Sequence, residues 1–155
     1  MRLTFLLDEN IIYHAIRGVD KHDQPDPTAQ ELVTAIARIC HLIALHPYLI
    51  ERYTIALEKL GEHPPRSDRA LNLLKGLIHN SSKLACEYDE LPCLPKGVQL
   101  PREDEDVVRT ALISKPVVVT NDSGLRDAIN NHHEKLGLKA LDARGALELA
   151  ESEKP

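Results

Sequence analysis

The chain contains few cysteines, and their number and spacing exclude two common kinds of small protein. Cys40, Cys86 and Cys93 are an odd set without the close pairs of a zinc site. They therefore fit neither a complete disulfide framework nor a short-spaced metal-binding motif. We expect them to be small buried apolar side chains in a protein of the reducing cytoplasm.

A long hydrophobic run is also missing. The apolar stretch from Leu3 to Leu7 is interrupted by Thr4 and followed at once by Asp8 and Glu9. A membrane-spanning helix needs about 20 mostly apolar residues, and a signal peptide needs a longer apolar core than this one. We therefore expect no targeting segment and no membrane contact.

Positive charge is scarce relative to negative charge. The 155 residues carry 19 lysines and arginines against 24 aspartates and glutamates, a formal net charge of −5. Such a protein has no general attraction for nucleic acid, so a polyanion would have to be held locally by a metal ion or a basic patch. The sequence also lacks the glycine-rich loops that cradle nucleotide phosphates.

Hydrophobic residues, at 43% of the chain, are sufficient for one packed core. A chain of this length buries roughly 70% of its unfolded surface, so we expect a single domain over residues 1–150 with a C-terminal tail at 151–155. Apolar periodicity and turn residues predict strands at 2–7, 41–45, 116–120 and 139–141. They predict helices at 11–17, from Thr28 as a cap through Ile39, from Pro47 to a stop at Gly61, and at 68–78, 102–114, 123–132 and 143–150.

The segment between Asn80 and Pro101 is the least regular part of the chain. Pro92, Pro95 and Gly97 interrupt it, so we expect irregular structure with one short strand at 98–100. Elsewhere strands and helices alternate. That alternation predicts an α/β protein, a three-layer α/β/α sandwich with a mainly parallel central sheet.

Two predicted strands end in a carboxylate. Asp8 follows the first strand, and Asp122 follows the strand at 116–120. An aspartate at a strand end is often only the cap of the next helix. In an open α/β sheet, however, ligands bind outside the carboxyl ends of the strands. We therefore expect Asp8 and Asp122 to lie on neighbouring strands and to border a functional site.

The helix at 102–114 adds a third carboxylate. At about 100° per residue, Ala111 falls within roughly 40° of Asp104, so Asp104 extends the apolar stripe that faces the sheet. Glu105 and Asp106 fall outside that stripe and are expected to be solvated residues of an acidic first turn. Asp104 is therefore predicted to point inward.

Carboxylates gathered at one place need a cation to offset their repulsion. Two of them about 5 Å apart repel by roughly 3 kcal/mol at an effective dielectric constant near 20. Oxygen ligands select a hard ion such as Mg²⁺ or Mn²⁺, which keeps positions for water and phosphate oxygens. Such an ion would activate water and stabilise the leaving oxygen of a phosphodiester.

Four short patterns occur in order along the chain. They are Leu6-Leu-Asp8-Glu-Asn10, Leu49-Ile-Glu51-Arg-Tyr53, Asp104 ahead of Ala111, and Val118-Val-Thr120-Asn-Asp122, with a last strand and helix from Leu138 to Leu147. In these patterns the chain resembles the PIN-domain family of metal-dependent ribonucleases, which includes toxin-like PIN nucleases. The resemblance covers almost the whole chain and implies a PIN-like fold.

The resemblance implies a set of site residues. Asp8, Glu51, Asp104 and Asp122 match the acidic quartet that binds one or two Mg²⁺ or Mn²⁺ ions in the family. Asn10 matches the residue that braces the first aspartate, and Thr120 matches the hydroxyl residue beside the fourth acid. Helical phase alone leaves Glu51 equally suited to the surface, so its assignment depends on the resemblance.

Other polar residues receive weaker assignments. Glu9 stands where many relatives have Thr or Ser, which adds an acid near the site. Arg17 and Arg126, like Arg66 and Arg69, are candidates for phosphate contacts, although scattered arginines are usually solvated. No two of the eight histidines have the helical spacing of a zinc site. We expect the histidines at the surface or at helix caps.

Three hypotheses follow. The first is an endoribonuclease that hydrolyses RNA through the four-carboxylate metal site. The resemblance implies that such a protein is either a toxin with an antitoxin protein partner or an RNA-processing enzyme, and that it forms homodimers. The second is a catalytically inactive PIN-fold module that binds RNA or protein, whose signature would be a broken quartet. The third is a phosphohydrolase with an aspartyl nucleophile, which commonly needs a second acid where Asn10 stands.

Overall fold

A five-stranded parallel sheet organises the protein. The computed structural model describes residues 2–80, 83–86 and 90–153. Its strands are β1 (Thr4–Leu7), β2 (Leu42–Leu45), β3 (Leu84–Cys86), β4 (Val117–Val119) and β5 (Lys139–Leu141). They lie in the order β3-β2-β1-β4-β5, and every neighbouring pair is parallel.

Helices connect the strands. They are α1 (Glu9–Arg17), α2 (Thr28–Arg38), α3 (Pro47–Glu62), α4 (Asp68–His79), α5 (Arg102–Ser114), α6 (Ser123–Asn131), α7 (His133–Leu136) and α8 (Ala143–Ser152). Helices α1, α2, α4 and α8 pack in a chain of mutual contacts, while α5 contacts β2 and α6 contacts β5. The predicted α/β class is confirmed, and the arrangement is compatible with three α/β/α layers.

The centre of the sheet is apolar on both faces. Phe5, Leu6 and Leu7 of β1 are essentially inaccessible to solvent, as expected for a parallel strand covered on both sides. Strand β4 pairs with β1 in the register Leu7↔Val119. The strand order therefore reverses between β1 and β4, which is where open α/β sheets bind ligands.

An aspartate N-cap occurs at three strand-to-helix turns. Asp8, Asp122 and Asp142 follow β1, β4 and β5, and each accepts a backbone N–H from the first turn of the next helix. Helix α1 then ends at Gly18, whose φ of +66° suits a residue without a side chain. The carboxyl end of the sheet thus carries a row of aspartates because these turns need N-caps.

Most predicted elements are confirmed. The bounds of α5 and β5 agree with the prediction, and the other expected helices and strands differ by a few residues at their ends. Helix α3 continues through Gly61 to Glu62, and α8 reaches Ser152, two residues into the expected tail. The four-residue helix α7 was not expected.

The strand prediction for the region after α4 is wrong. Residues 98–100 form no strand; instead β3 lies at Leu84–Cys86 and pairs with β2 through Ala44↔Ala85. Three residues are too few for a periodic signal, and the pairing is set by the neighbouring strand. Val98 still contributes to the core, where it is 6% exposed.

The predicted cap at Thr28 is also wrong. Thr28 is the first residue of α2, and its N–H and hydroxyl both donate to Asp26 Oδ1, at 2.9 Å and 2.5 Å. These two bonds lower the pKa of Asp26. The capping function belongs to Asp26, two residues earlier, because its carboxylate accepts both donors.

The expectations for several cysteines and histidines are wrong as well. Cys40 and Cys93 are exposed, and the side chain of Cys86 lies outside what the structure describes. His14 and His41 are buried rather than solvated. His41 accepts from the Leu3 N–H at 3.1 Å and donates to the Ala150 carbonyl at 2.8 Å, so each ring nitrogen has a backbone partner.

Within the described ranges, no helix combines the length and the apolar character that a bilayer crossing requires.

Candidate functional site

The Asp8 carboxylate lies at the end of β1. Its Oδ1 accepts the Glu9 N–H at 2.8 Å, and its Oδ2 accepts the Thr120 hydroxyl at 2.8 Å and Asn10 Nδ2 at 3.2 Å. Burial raises the pKa of Asp8, the bonds from Thr120 and Glu9 partly oppose that rise, and the charges of Glu9 and Asp122 add to it. Asp8 is thus held firmly in a position that disfavours its charge.

Asn10 and Thr120 join the ends of β1 and β4. Asn10 Nδ2 donates to Thr120 Oγ1 at 3.0 Å, and Asn10 Oδ1 accepts the Asn121 N–H at 3.1 Å. The Thr120 hydroxyl is fully buried and also accepts the Asp122 N–H at 3.1 Å. Its one proton and both acceptor positions are therefore used, so two strands together fix the Asp8 carboxylate.

Asp122 is exposed at the end of β4 and caps α6. Its Oδ1 accepts the N–H groups of Gly124 and Leu125, at 2.9 Å and 3.3 Å. Its Oδ2 has no hydrogen-bond partner in the described ranges, so no hydrogen bond would have to be broken for this oxygen to bind a ligand. The charge of Asp122 raises the pKa of both Asp8 and Asp104.

Asp104 is half-buried in the first turn of α5. Burial raises its pKa to about 6, and the charges of Asp8, Asp122 and Glu103 contribute, while Arg52 opposes them. The charges of Asp8 and Asp122 therefore reach Asp104, and we refer to Asp8, Asp104 and Asp122 as the acidic trio. They come from three separate parts of the chain, and β1, β4 and α5 bring them together.

Two acids next to Asp104 differ from expectation. Glu105 and Asp106 are half-buried rather than fully solvated. The backbone carbonyl of Asp106 accepts the Thr110 hydroxyl at 2.8 Å, within the same helix.

Glu51 is exposed on α3, and its charge is not among those that raise the pKa of Asp8 or Asp104. The next residue, Arg52, donates its Nε to Glu9 Oε1 at 2.9 Å, and its charge opposes the rise in the Asp104 pKa. The start of α3 therefore brings the cation of Arg52 close to the trio.

Tyr53 fixes α3 against the end of β1. Its ring is buried, and its hydroxyl donates to the Leu7 carbonyl. Burial raises the Tyr53 pKa far above its usual value, and the charges of Asp8 and Glu9 add to this effect. Because the buried Tyr53 ring fixes the rotation of α3 about its axis, this contact also determines the direction in which the Arg52 side chain points.

A cleft of about 340 Å³ opens beside Asp122. Its lining residues are Asn10, His14, Lys21, Asn121, Asp122 and Ser123. Burial lowers the pKa of His14, although the charges of Asp20, Asp23 and Asp26 oppose the fall. His14 Nδ1 lies 2.8 Å from Asn121 Nδ2, which must be the donor because Asn121 Oδ1 accepts the Ala143 N–H at 3.0 Å. His14 is therefore a neutral wall of the cleft.

The two arginines expected to contact phosphate have different positions. One guanidinium nitrogen of Arg17 donates to the carbonyls of His63 and Pro65, at 2.7 Å and 2.6 Å. These two hydrogen bonds hold the end of α1 against the loop before α4. Arg126 donates to the Thr120 carbonyl at 2.9 Å and lines a second cavity beyond Asn121. Only Arg126 lies near the acidic trio's end of the sheet.

The trio offers oxygen donors, the ligand type that a hard divalent cation prefers. Within the described ranges, no group of three or more His, Cys, Asp or Glu side chains is placed so that it could hold a metal ion. Magnesium, however, binds through one or two carboxylates and keeps waters in its other positions. Asp122 Oδ2, the Asp104 carboxylate and one lone pair of Asp8 Oδ1 remain available, and all are oxygen donors.

Sequence reasoning missed Arg52, Tyr53, His14 and Asn121 as parts of this region. Tyr53 lies on the buried face of α3, and periodicity within a helix does not indicate the hydrogen bond that its hydroxyl makes. Asn121 lies between Thr120 and Asp122 in the fourth pattern, and this position is the one signal that pointed to it.

The chain was compared with protein-family models, curated proteins and solved structures, and none of them matches it.

Proposed function

We propose that this protein is a metal-dependent endoribonuclease of PIN-like fold that hydrolyses RNA phosphodiester bonds at the acidic trio. Asp8, Asp104 and Asp122 would hold Mg²⁺ or Mn²⁺, and Glu51 enters as a fourth acid on the resemblance alone. When bound, such an ion would activate water for in-line attack and stabilise the leaving oxygen. The resemblance extends the proposal to the toxin of a toxin–antitoxin pair.

One observation carries the proposal. Asp8 and Asp122 follow the two strands between which the strand order reverses, and the charges of both raise the pKa of Asp104 on α5, while the charge of Asp122 also raises the pKa of Asp8. Arg52, already paired with Glu9, is the cation that opposes the rise at Asp104. N-capping accounts for Asp8 and Asp122 but not for Asp104, and a bound cation would offset the repulsion that Asp104 adds, which supports cation binding as the function.

The residues around the trio have supporting functions. Thr120 and Asn10 hold the Asp8 carboxylate so that its remaining lone pair points in a fixed direction. Asp122 offers an unbonded oxygen because its other oxygen caps α6. Thr120 also donates to Asp8 and accepts from the Asp122 N–H, which links the two carboxylates through one hydroxyl.

Asp122→Asn is the cleanest test. Asparagine is as good an N-cap as aspartate, so α6 keeps its start while the site loses a charge. We expect Mn²⁺-dependent cleavage of a labelled single-stranded RNA to fall at least 100-fold, with an unchanged unfolding midpoint in EDTA. The matched control is Asp127→Asn, an exposed aspartate on the same helix, which should cleave like wild type. Equal cleavage by Asp122→Asn and wild type would refute the proposal.

A catalytically inactive RNA- or protein-binding module is the second candidate. Two observations favour it: Glu51 is not among the charges that raise the pKa of Asp8 or Asp104, and within the described ranges no group of three or more His, Cys, Asp or Glu side chains is placed so that it could hold a metal ion. Wild-type protein that binds RNA but cleaves neither RNA nor a small phosphomonoester, in Mn²⁺ or Mg²⁺, would support this candidate. Cleavage of the phosphomonoester alone would instead favour a phosphohydrolase.

A further inference from the structure

His14 is the most deeply buried side chain that lines the cleft beside Asp122. It is 7% exposed and lies one turn after Asn10 on α1. Its two ring nitrogens have different surroundings. Nδ1 has a hydrogen-bond partner in Asn121, whereas Nε2 has no partner among the residues that the structure describes. The proposed function gives no role to this second nitrogen.

The hydrogen bonds of Asn121 fix the tautomer of His14. The Ala143 N–H donates to Asn121 Oδ1 at 3.0 Å, so the amide nitrogen of Asn121 is the group that lies 2.8 Å from His14 Nδ1. Nδ1 must then be the acceptor, and the proton of the neutral imidazole must be on Nε2. Burial lowers the pKa of His14, which keeps the ring neutral.

The Nε2–H donor of His14 is accessible from the cleft. Among the described residues that are not themselves exposed, every inaccessible side-chain nitrogen or oxygen has a hydrogen-bond partner. Since Nε2 has no such partner, it must be one of the few accessible atoms of a residue that is 7% exposed. His14 lines the cleft, so this donor is available to a ligand there.

The cleft also offers a neutral acceptor. Ser123 lines the same space and is exposed, and its hydroxyl has no hydrogen-bond partner within the described part of the chain. A serine hydroxyl can accept two hydrogen bonds. The charged residues of the lining are one cation, Lys21, and one acid, Asp122. The cleft therefore suits a neutral group that both accepts and donates a hydrogen bond.

An anionic group fits the cleft less well. The charges of Asp20, Asp23 and Asp26 reach His14 and would repel a phosphate bound to its Nε2–H. The volume of about 340 Å³ lies at the lower end of the range for small-molecule pockets and is sufficient for a sugar.

We propose that this cleft binds the ribose next to the cleaved phosphate, with His14 Nε2–H donating to the 2′-hydroxyl oxygen and Ser123 Oγ accepting the hydroxyl proton. The inference rests on the proposed function, because Asp122 borders the cleft and belongs to the trio that would hold the phosphate. The 2′-hydroxyl is both a donor and an acceptor, and it is the group by which a protein distinguishes RNA from DNA. His14 and Ser123 thus select RNA.

The test compares two His14 variants that imitate different ring nitrogens. His14→Asn places an amide oxygen near the position of Nδ1 and keeps an acceptor for Asn121, but it has no donor at the position of Nε2. His14→Gln is one bond longer and brings an amide N–H to that position. Affinities for a labelled RNA and for the DNA of the same sequence, with deoxyuridine for uridine, are measured by fluorescence anisotropy in EDTA.

We expect wild type to bind the RNA at least tenfold more tightly than the DNA, because the DNA leaves both the donor and the acceptor unpaired. His14→Asn should lower the affinity for RNA about fivefold, the typical effect of one neutral hydrogen bond, and leave the affinity for DNA unchanged. His14→Gln should keep most of the preference, and Ser123→Ala should lose part of it. The control is His79→Gln, at an exposed histidine that ends α4, which should bind both nucleic acids like wild type.

A second measurement uses wild type alone and does not depend on how the variants fold. Proton–nitrogen correlation spectra distinguish a protonated from an unprotonated imidazole nitrogen, and they should show His14 protonated at Nε2. Addition of the RNA should shift the Nε2 resonance of His14, whereas addition of the DNA should not.

Four results would overturn the inference: a neutral His14 protonated at Nδ1, no preference of wild type for RNA over DNA, a loss in His14→Asn that is equal for both nucleic acids, or the same loss of RNA affinity in both His14 variants. The proposed function fails separately. Wild type that prefers RNA through His14 but cleaves none in Mn²⁺ would refute the nuclease function and leave ribose binding established. Cleavage that depends on Asp122, with equal affinity for RNA and DNA, would do the reverse.

Discussion

The two ends of the parallel sheet differ in whether their polar and charged groups have compensating partners. At the amino end, Lys83 donates to the carbonyls of Ile36, Ile39 and His41 within 3.0 Å, and His41 has a backbone partner on each ring nitrogen. At the carboxyl end, the acidic trio gathers like charges. The amino end therefore contributes stability, whereas the carboxyl end keeps an energetic cost that a bound cation would remove.

The largest expected effect lies at the amino end. His41→Leu removes a side chain that is 0% exposed and leaves the Leu3 N–H and the Ala150 carbonyl without their partner. Each unpaired buried group costs about 1–3 kcal/mol, so we expect the free energy of unfolding to fall by about 3 kcal/mol in urea titrations. His63→Leu, at an exposed histidine after α3, is the control and should change the free energy of unfolding by less than about 0.5 kcal/mol. A loss below 1 kcal/mol for His41→Leu would contradict this description of the amino end.

The carboxyl end should respond in the opposite direction. Burial and the charges of Asp8 and Asp122 raise the folded-state pKa of Asp104 to about 6, above its ordinary 3.8. The folded protein therefore binds more protons than the unfolded chain between pH 4 and 6, and metal-free stability falls as pH rises through this window.

Asp104→Asn should remove that pH dependence. At pH 7 in EDTA it should stabilise the protein by about 1 kcal/mol, a modest gain because Asp104 is half-exposed and water screens the neighbouring charges. At pH 4 the variant and wild type should be equal. Asp106→Asn, on the same helix, serves as the control. Destabilisation by Asp104→Asn at pH 7 would show that the trio does not repel.

The smallest expected effect concerns Glu51. Because Glu51 is exposed and its charge does not contribute to the pKa shifts of Asp8 and Asp104, Glu51→Gln should change Mn²⁺-dependent cleavage less than threefold and stability by less than about 0.5 kcal/mol. A loss comparable to that of Asp122→Asn would place Glu51 in the ligand set, as the resemblance implies.

Local patterns were sufficient to predict the strand ends. Short apolar runs predicted β1 and β4, and their pairing confirms that Asp8 and Asp122 follow neighbouring strands. Helical phase predicted that Asp104 points inward, and the effect of the Asp8 and Asp122 charges on its pKa agrees with that direction. Its burial does not distinguish it, because Glu105 and Asp106 are half-buried too. These features depend on periodicity within one element, which the sequence encodes directly.

Features that depend on contacts between elements could not be predicted. The rotation of α3 depends on the bond between the Tyr53 hydroxyl and the Leu7 carbonyl, and one residue of phase decides between Glu51 and Arg52. Strand β3 forms because its backbone pairs with β2, a neighbour that is distant in the sequence. His41 is buried because two distant backbone groups satisfy it, and nothing in its local sequence indicates them.

The most direct test of the shared cation site is the proton balance of Mn²⁺ binding at pH 6, measured by calorimetry in two buffers of different ionisation enthalpy. With an Asp104 pKa of about 6, roughly half of these carboxyls are protonated, so binding should release about half a proton per protein. Asp104→Asn should release almost none. Mn²⁺ binding with the same proton release in both proteins, or no Mn²⁺ binding by wild type, would contradict a cation site formed by Asp8, Asp104 and Asp122.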